Sequence, residues 1–473
     1  MLGATYAAFV LLCAASLALA WLASRARLGT DAVRNPTYRN FQLHFYAPYF
    51  LALAADWLQG PYLYKLYSHY GFLEPQIAVL YVCGFAAGLL LAPFVGTLAE
   101  RLGGRRTSCV LFSLLCAASC LLKLSRGYFV LLVARILGGI STALLFTAHE
   151  TWYQHEHRQI HDFPAEWVDG TLAEVALWNG AIAAVAGVVA NVAAETLAFG
   201  PVAPFVLAVP FLAVSGALIV WRWDENRSAT KVGLRRSCIE GLRCLLSDRK
   251  VLLLAAIQAL FESTVYMFVF LWTPVLDPWN APLGIAFSSF MLASLAGSSL
   301  YRLATSPSRP LVQPTHALLL SVALALGAFV QLVWSTAPPN ASPYRSLLAF
   351  LAFEFAVGVY FPAVAFLRSK VIPEKSQAGV LGWLRVPLNT FTCLGLLALH
   401  DTDVRTGPRD VFTICAGLML ATLVASLVFC WMSRQDELQV HESQQQQQQQ
   451  EQQQEPQQEP QQTPFDSLLS PVQ

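Results

Sequence analysis

Thirteen stretches of about 20 mostly apolar residues dominate this chain, and a run of that length is what a helix needs to cross roughly 30 Å of hydrocarbon. They fall at 2–22, 43–66, 76–98, 107–124, 128–149, 171–194, 202–222, 250–272, 284–304, 314–336, 345–367, 377–399 and 410–432. A soluble chain of 473 residues has nowhere to hide so much apolar surface, because single cores stop growing near roughly 250–300 residues. Only 12% of the residues are charged, where soluble domains run at about 25%. The pattern predicts an all-α polytopic membrane protein. The run at 2–22 reads either as a retained helix or as a cleaved signal peptide; the lack of a basic segment before it favours retention.

Charge is informative by place and not by sum. The net charge of +1 supplies no field for nucleic acid, which is not an expected partner. Taking alternate loops, one side holds 22 Lys and Arg, eight of them between Arg222 and Lys250, and the other holds five: Lys123, Arg126, Arg345, Arg405 and Arg409. Cytoplasmic loops retain positive charge, so the N-terminus is expected outside and the C-terminus in the cytoplasm. The sequon at Asn340 then faces outward. Eight of the ten cysteines lie within apolar runs, and Cys238 and Cys244 lack zinc-site spacing, so no metal, cofactor or disulfide is expected. Beyond Arg434 a Gln-rich tract has too little apolar side chain to pack.

The third run ends in Gly96-Thr-Leu-Ala-Glu100-Arg101-Leu-Gly103-Gly104-Arg105-Arg106, and the second half carries a worn counterpart, Gly297-Ser-Ser-Leu-Tyr301-Arg302. The first stretch resembles the signature loop of the major facilitator superfamily, with Glu100 where Asp is usual and Gly104 where a basic residue is usual. Its matching residues, Gly96, Glu100, Arg101, Gly103 and Arg105, are candidates for a cytoplasmic gate. The segments Asp56-Trp-Leu-Gln59-Gly-Pro61-Tyr-Leu-Tyr-Lys65, Trp152-Tyr-Gln-His155-Glu-His157, Gln258-Ala-Leu-Phe-Glu262-Ser263, Leu271-Trp-Thr-Pro-Val-Leu-Asp277-Pro278 and Lys370-Val-Ile-Pro-Glu374 resemble the animal molybdate-anion transporters of that superfamily. The resemblance covers about residues 1–434. It implies a major facilitator fold, two six-helix bundles plus one extra N-terminal transmembrane helix. The corresponding division is 1–42 for the extra helix and connector, 43–222 for the first bundle and 223–249 for a basic cytoplasmic loop. The second bundle is 250–434, and 435–473 is a disordered tail. It further implies a monomeric secondary carrier in the cell membrane that takes up molybdate by alternating access, and no enzyme activity.

An ionisable side chain in mid-membrane costs at least about 2.5 kcal/mol, so each one needs a partner, a wet cavity or a task. Asp56, Arg135, Glu262, Glu354 and Arg385 lie within runs, with Lys65 and Glu174 toward run ends. Helical spacing puts Gln59 with Asp56, Gln258 with Glu262, and Asn389 and Thr392 with Arg385. Guanidinium groups bind tetrahedral oxyanions in fork geometry, which makes Arg135 and Arg385 the expected substrate contacts, with Asn389 and Thr392 as secondary donors. The alternative is that these arginines pair with Glu354, Asp56 or Glu262 to hold helices together. Asp56, Gln59, Gln258, Glu262 and Glu354 are candidates for the cavity or for proton coupling. A proton-coupled carrier of a small organic solute and a non-transporting membrane sensor or scaffold remain the competing functions. The histidines from His149 to His161 lack the His-Glu-x-x-His pattern and are expected in an interfacial helix, with Phe163 and Trp167 at headgroup level.

Overall fold

The computed structural model describes residues 1–25, 35–91, 103–164, 166–226, 234–306, 311–337, 341–397 and 407–454, and the only regular elements among them are helices. The first half runs α1 (Leu2–Arg25), α2 (Pro36–Gln59), α3 (Leu63–His69), α4 (Glu74–Leu90), α5 (Arg105–Leu122), α6 (Tyr128–His155), α7 (Glu166–Asn191) and α8 (Ala203–Arg222). The second runs α9 (Leu234–Ser247), α10 (Arg249–Leu276), α11 (Leu283–Ala304), α12 (Pro314–Ser335), α13 (Pro343–Val371), α14 (Glu374–Leu397) and α15 (Gly407–Gln454). Polar side chains cap α2 and α10: Asn35 accepts from the Thr37 and Tyr38 amides at 3.0 and 3.2 Å with Pro36 following, and Asp248 accepts from Lys250 at 2.8 Å.

The described part of each expected apolar run is helical, the 43–66 run being split between α2 and α3, and eleven helices among the described residues are long and apolar enough to cross a membrane. The chain is a multi-pass membrane protein. The helices α2 and α4 are not among the eleven: α4 has 17 residues and leads into 92–102, outside the described residues, while α2 opens with Thr37, Arg39, Asn40, Gln42 and His44.

The helix pairings repeat. In the first half α4 packs on α6, α5 on α6 and α8, and α2 on α7 and α8; in the second, α11 packs on α13, α12 on α13 and α15, and α10 on α14 and α15. Position for position these are the same five pairs. The two sets meet along α7 with α11 and along α4 with α14, and α1 packs on α11. Backbones come closest at the equivalent crossings, α4 with α6 and α11 with α13. A Cβ on Gly139 would overlap the Gly84 carbonyl, and one on Gly358 would overlap the Ser294 carbonyl. Small residues at such crossings let helices pack closely where lipid offers no hydrophobic drive.

Two segments differ from their sequence expectation. The stretch read as a basic loop contains α9, whose Cys244 and Leu245 pack on Val251, Ala255, Val380 and Leu384 of α10 and α14. Apolar residues at helical spacing among the arginines give α9 a face to bury. The Gln-rich tract, expected to be disordered from 435, continues α15 as helix to Gln454, consistent with the high helix propensity of Gln and Glu.

Candidate functional site

In the first helix set the ionisable residues gather between α2, α4, α5 and α6. Arg135 is half-buried on α6, donates from Nε to the Leu80 carbonyl at 3.2 Å, and lays its guanidinium over the Tyr81 ring at 4.7 Å. Gly84 on α4 makes the space, since a Cβ there would meet Nη2 at 2.7 Å. Asp56 on α2 accepts from the Thr142 hydroxyl at 3.3 Å. Among the described residues neither group makes an ion pair. Gln59, one turn along α2, donates to the Ala55 carbonyl at 3.1 Å and turns its Oε1 toward a residue the sequence reading places in an outer loop. That residue is Lys123, 3% exposed, whose Nζ donates to Gln59 at 2.8 Å and sits 5.0 Å from the Phe205 ring centroid. The chain turns at the α5 C-cap and the lysine stem folds back into the helix set.

In the second set Glu262 on α10 is half-buried and hydrogen-bonded to the buried Gln258, with Arg368 and Arg385 as its charged neighbours. Arg385 is exposed on α14 and Asn389 half-buried; the Asn389 amide donates to the Arg385 carbonyl at 2.7 Å. Thr392 is fully buried, with its hydroxyl bonded to the Leu388 carbonyl at 2.9 Å and near the Ser263 carbonyl at 3.5 Å. That hydroxyl is engaged between α14 and α10. Glu354 is 5% exposed, and among the described residues no hydrogen bond or ion pair reaches it. The alternative in which Arg135 and Arg385 are held by Glu354, Asp56 or Glu262 therefore has no ion-pair contact here. Two arginines, one from each helix set, are thus without an ion-pair partner among the described residues.

One end of the seam between the sets is bridged by side chains from both. Lys65 and Asp277 pair at 2.6 Å across it. Behind them Tyr64 and Tyr81 meet Phe270 edge-on at 5.3 and 5.1 Å, Phe85 meets Tyr266 at 4.8 Å, and Trp57 meets Phe287 at 5.9 Å. Glu195, in the turn that follows α7, accepts from the Tyr62 hydroxyl at 2.8 Å and the Leu283 amide at 3.4 Å, tying that turn to the start of α11. Edge-to-face pairs of this kind contribute about 0.5–1.5 kcal/mol beyond the area they bury.

The opposite end carries the arginines. Gly96, Glu100 and Arg101 lie outside the described residues. Gly103 and Arg105 are described, and the region is organised by Trp223-Asp224-Glu225-Asn226, a segment the sequence reading did not single out. Glu225 accepts from the Arg106 amide at 3.0 Å and the Thr107 hydroxyl at 3.0 Å and pairs with the Arg106 guanidinium at 3.3 Å, capping α5 from a distance. The Arg105 amide donates to the Asn226 carbonyl at 3.0 Å, and Asn226 donates to Glu156 at 2.9 Å. Trp223 stacks on Trp152 at 3.8 Å. Gly104, at φ 109°, leaves room for Glu225. No local spacing announces this tie, because its partners lie about 70 to 120 residues away. The histidine segment continues α6 instead of lying flat as an interfacial helix. His149 is fully buried between Tyr49 and Phe112, His157 bonds to the Pro164 carbonyl at 2.9 Å, and Phe163 and Trp167 pack around Tyr38.

The family MFS_5, described as sugar transporters, 12 TM, matches residues 5–354. A molybdate-anion transporter from Xenopus tropicalis is 57% identical over 413 residues, covering 87% of this chain and 91% of its own length. One from Danio rerio is 49% identical over 465 residues, covering 91% and 96%. Among solved structures, the nucleoside transporter NupG (D323A mutant) superposes with a TM-score of 0.65 at 12% identity over 82% of this chain and 99% of its own. The human organic anion transporter MFSD10 (TETRAN) gives 0.57 at 17% identity over 83% and 100%. At these identities the structures speak for the fold alone.

Proposed function

Because the chain belongs to the MFS_5 family of the major facilitator superfamily, we propose that it is a secondary carrier that takes molybdate into the cell by alternating access. The observation that carries the substrate is the 49–57% identity to molybdate-anion transporters across both helix sets. The structure supports it with cations on each side of the seam that make no ion pair among the described residues, which suit a dianion. We read 43–222 and 250–434 as the two bundles that rock about it, in a monomer in the cell membrane, with the basic end in the cytoplasm. In that orientation the Lys65–Asp277 pair and the aromatic seam close the outer mouth, and the residues of Trp223 to Asn226 brace the cytoplasmic end of the first bundle. Arg135 and Arg385 contact the oxyanion with Asn389 as a further donor, while Thr392 holds α14 against α10. Asp56, Gln59, Gln258, Glu262 and Glu354 supply the polar lining through which coupling to protons would run.

Purified protein in liposomes, with internal molybdenum measured elementally and with sulfate and tungstate as competitors, tests this reading. Molybdenum accumulation above protein-free vesicles, lost in Arg135→Gln and Arg385→Gln, is the expected result. Normal uptake by both variants defeats the site assignment, and no uptake by the native chain defeats the substrate. Accumulation of an organic solute driven by external acid, without molybdate competition, would favour the proton-coupled alternative.

A further inference from the structure

Lys123 has no role in the mechanism just described, yet it is a costly residue to keep. A buried ammonium is tolerated when it is paired, and a residue such as Met would fill similar space without the charge. Among the described residues its Nζ has one hydrogen-bond partner, the neutral Gln59 at 2.8 Å, and the face of Phe205 at 5.0 Å. The backbone around it is fixed, because the Tyr70 hydroxyl donates to the Lys123 carbonyl at 2.8 Å. Its electrostatic neighbours among the described residues include Arg135, the carboxylate of Asp56 and the thiols of Cys116 and Cys120. Asp56 is not in ion-pair contact with it and instead accepts from Thr142. Arg135 is likewise without a carboxylate contact among the described residues. Lys123 and Arg135 thus lie close enough to feel each other's charge, neither in ion-pair contact with a carboxylate among the described residues, so a charged Lys123 adds a positive excess beside the guanidinium expected to meet substrate.

We propose that Lys123 is a specificity-determining residue: its charge, acting at a distance from behind Gln59 and Arg135, makes the carrier prefer a tetrahedral dianion over a tetrahedral monoanion of the same shape. The inference rests on the reading of this chain as an oxyanion carrier. A fixed charge that does not touch the substrate stabilises a dianion about twice as much as a monoanion at the same point, so it moves the ratio between them. A merely structural lysine would change the amount of transport and leave that ratio where it was.

Molybdate and perrhenate are tetrahedral oxyanions of similar size carrying two and one negative charges, and both metals are measured elementally in the same vesicles. The native protein should favour molybdate. Lys123→Met should lower the molybdate-to-perrhenate ratio by roughly tenfold, and Lys123→Arg should keep it near native. If Lys123→Met does not reach the membrane, Asp56→Asn tests the same field with the lysine in place, and the ratio should rise. An unchanged ratio in a transporting Lys123→Met, or in Asp56→Asn when the first variant is inactive, overturns the inference. Absence of molybdate uptake by the native protein instead defeats the underlying function, so the two failures read differently.

Discussion

The two helix sets pair their helices in the same order but fill their interiors differently. Both close their tightest crossing with glycine, Gly139 against Gly84 and Gly358 against Ser294. Around those crossings the first set buries a lysine and clamps its arginine on a tyrosine ring, whereas the second leaves Arg385 exposed and buries Glu354 with no polar contact among the described residues. The scaffold depends on backbone approach, which tolerates only small residues at a few positions. The charges sit between those positions and are free to differ.

The largest effect should come from filling a shared crossing. Gly139→Leu and Gly358→Leu each force a side chain into a neighbouring carbonyl, and overpacking of this kind costs about 3 kcal/mol. Both should lose thermal stability in detergent and surface expression, while Gly327→Leu, with nothing within 4 Å of its Cβ, should lose neither. Equal behaviour of all three would break the idea that the repeated pairing rests on these contacts.

Next come the arginines. Removing a charged hydrogen-bond donor to substrate costs about 1.5–3 kcal/mol, so Arg135→Gln and Arg385→Gln should each cut uptake by roughly 10- to 100-fold at unchanged expression. Lysine should separate them. Arg135 uses its plane against Tyr81 and its Nε on Leu80, so Arg135→Lys should stay impaired, while exposed Arg385 should tolerate lysine in part. Equal rescue at both sites would remove the contrast between a clamped and a free guanidinium.

The spans were legible because a hydrocarbon core imposes a length on every run, and Arg135, Asp56, Glu262 and Arg385 stood out because charge is rare in such runs. Lys123 did not stand out. It sits at the very end of the 107–124 run, just before Ser125-Arg126-Gly127, a loop-like context, and its inward turn depends on Gln59 on another helix. The Glu225 tie was hidden for the same reason, since an acid after α8 says nothing locally about capping α5. Amphipathicity did carry the information for α9, but the density of arginine in that segment reads first as a topology signal.

A smaller effect is expected at the Lys65–Asp277 pair, which joins the two sets. Its side chains are 38% and 23% exposed, and pairs that wet contribute about 1 kcal/mol or less. Lys65→Gln should therefore shift the balance toward the state open at that end by a few-fold at most, seen as faster labelling of a cysteine placed at Trp57. The double exchange Lys65→Asp with Asp277→Lys should restore the native rate. A rate unchanged in the single variant would mean that the aromatic seam alone holds this end.

The smallest effect separates a residue that positions from one that contacts. Thr392 and Asn389 both follow Arg385 on α14, yet Thr392 is fully buried and bonded to the Leu388 carbonyl, while the Asn389 side chain is only half-buried. Thr392→Val removes one buried hydroxyl whose carbonyl partner keeps its helical bond, a change of about 1 kcal/mol in stability. It should leave the molybdate KM at the native value. Asn389→Leu should raise KM several-fold with little change in melting temperature. If the two variants exchanged these signatures, α14 would have to present its other edge to the substrate, and Arg385 would lose its place beside the oxyanion.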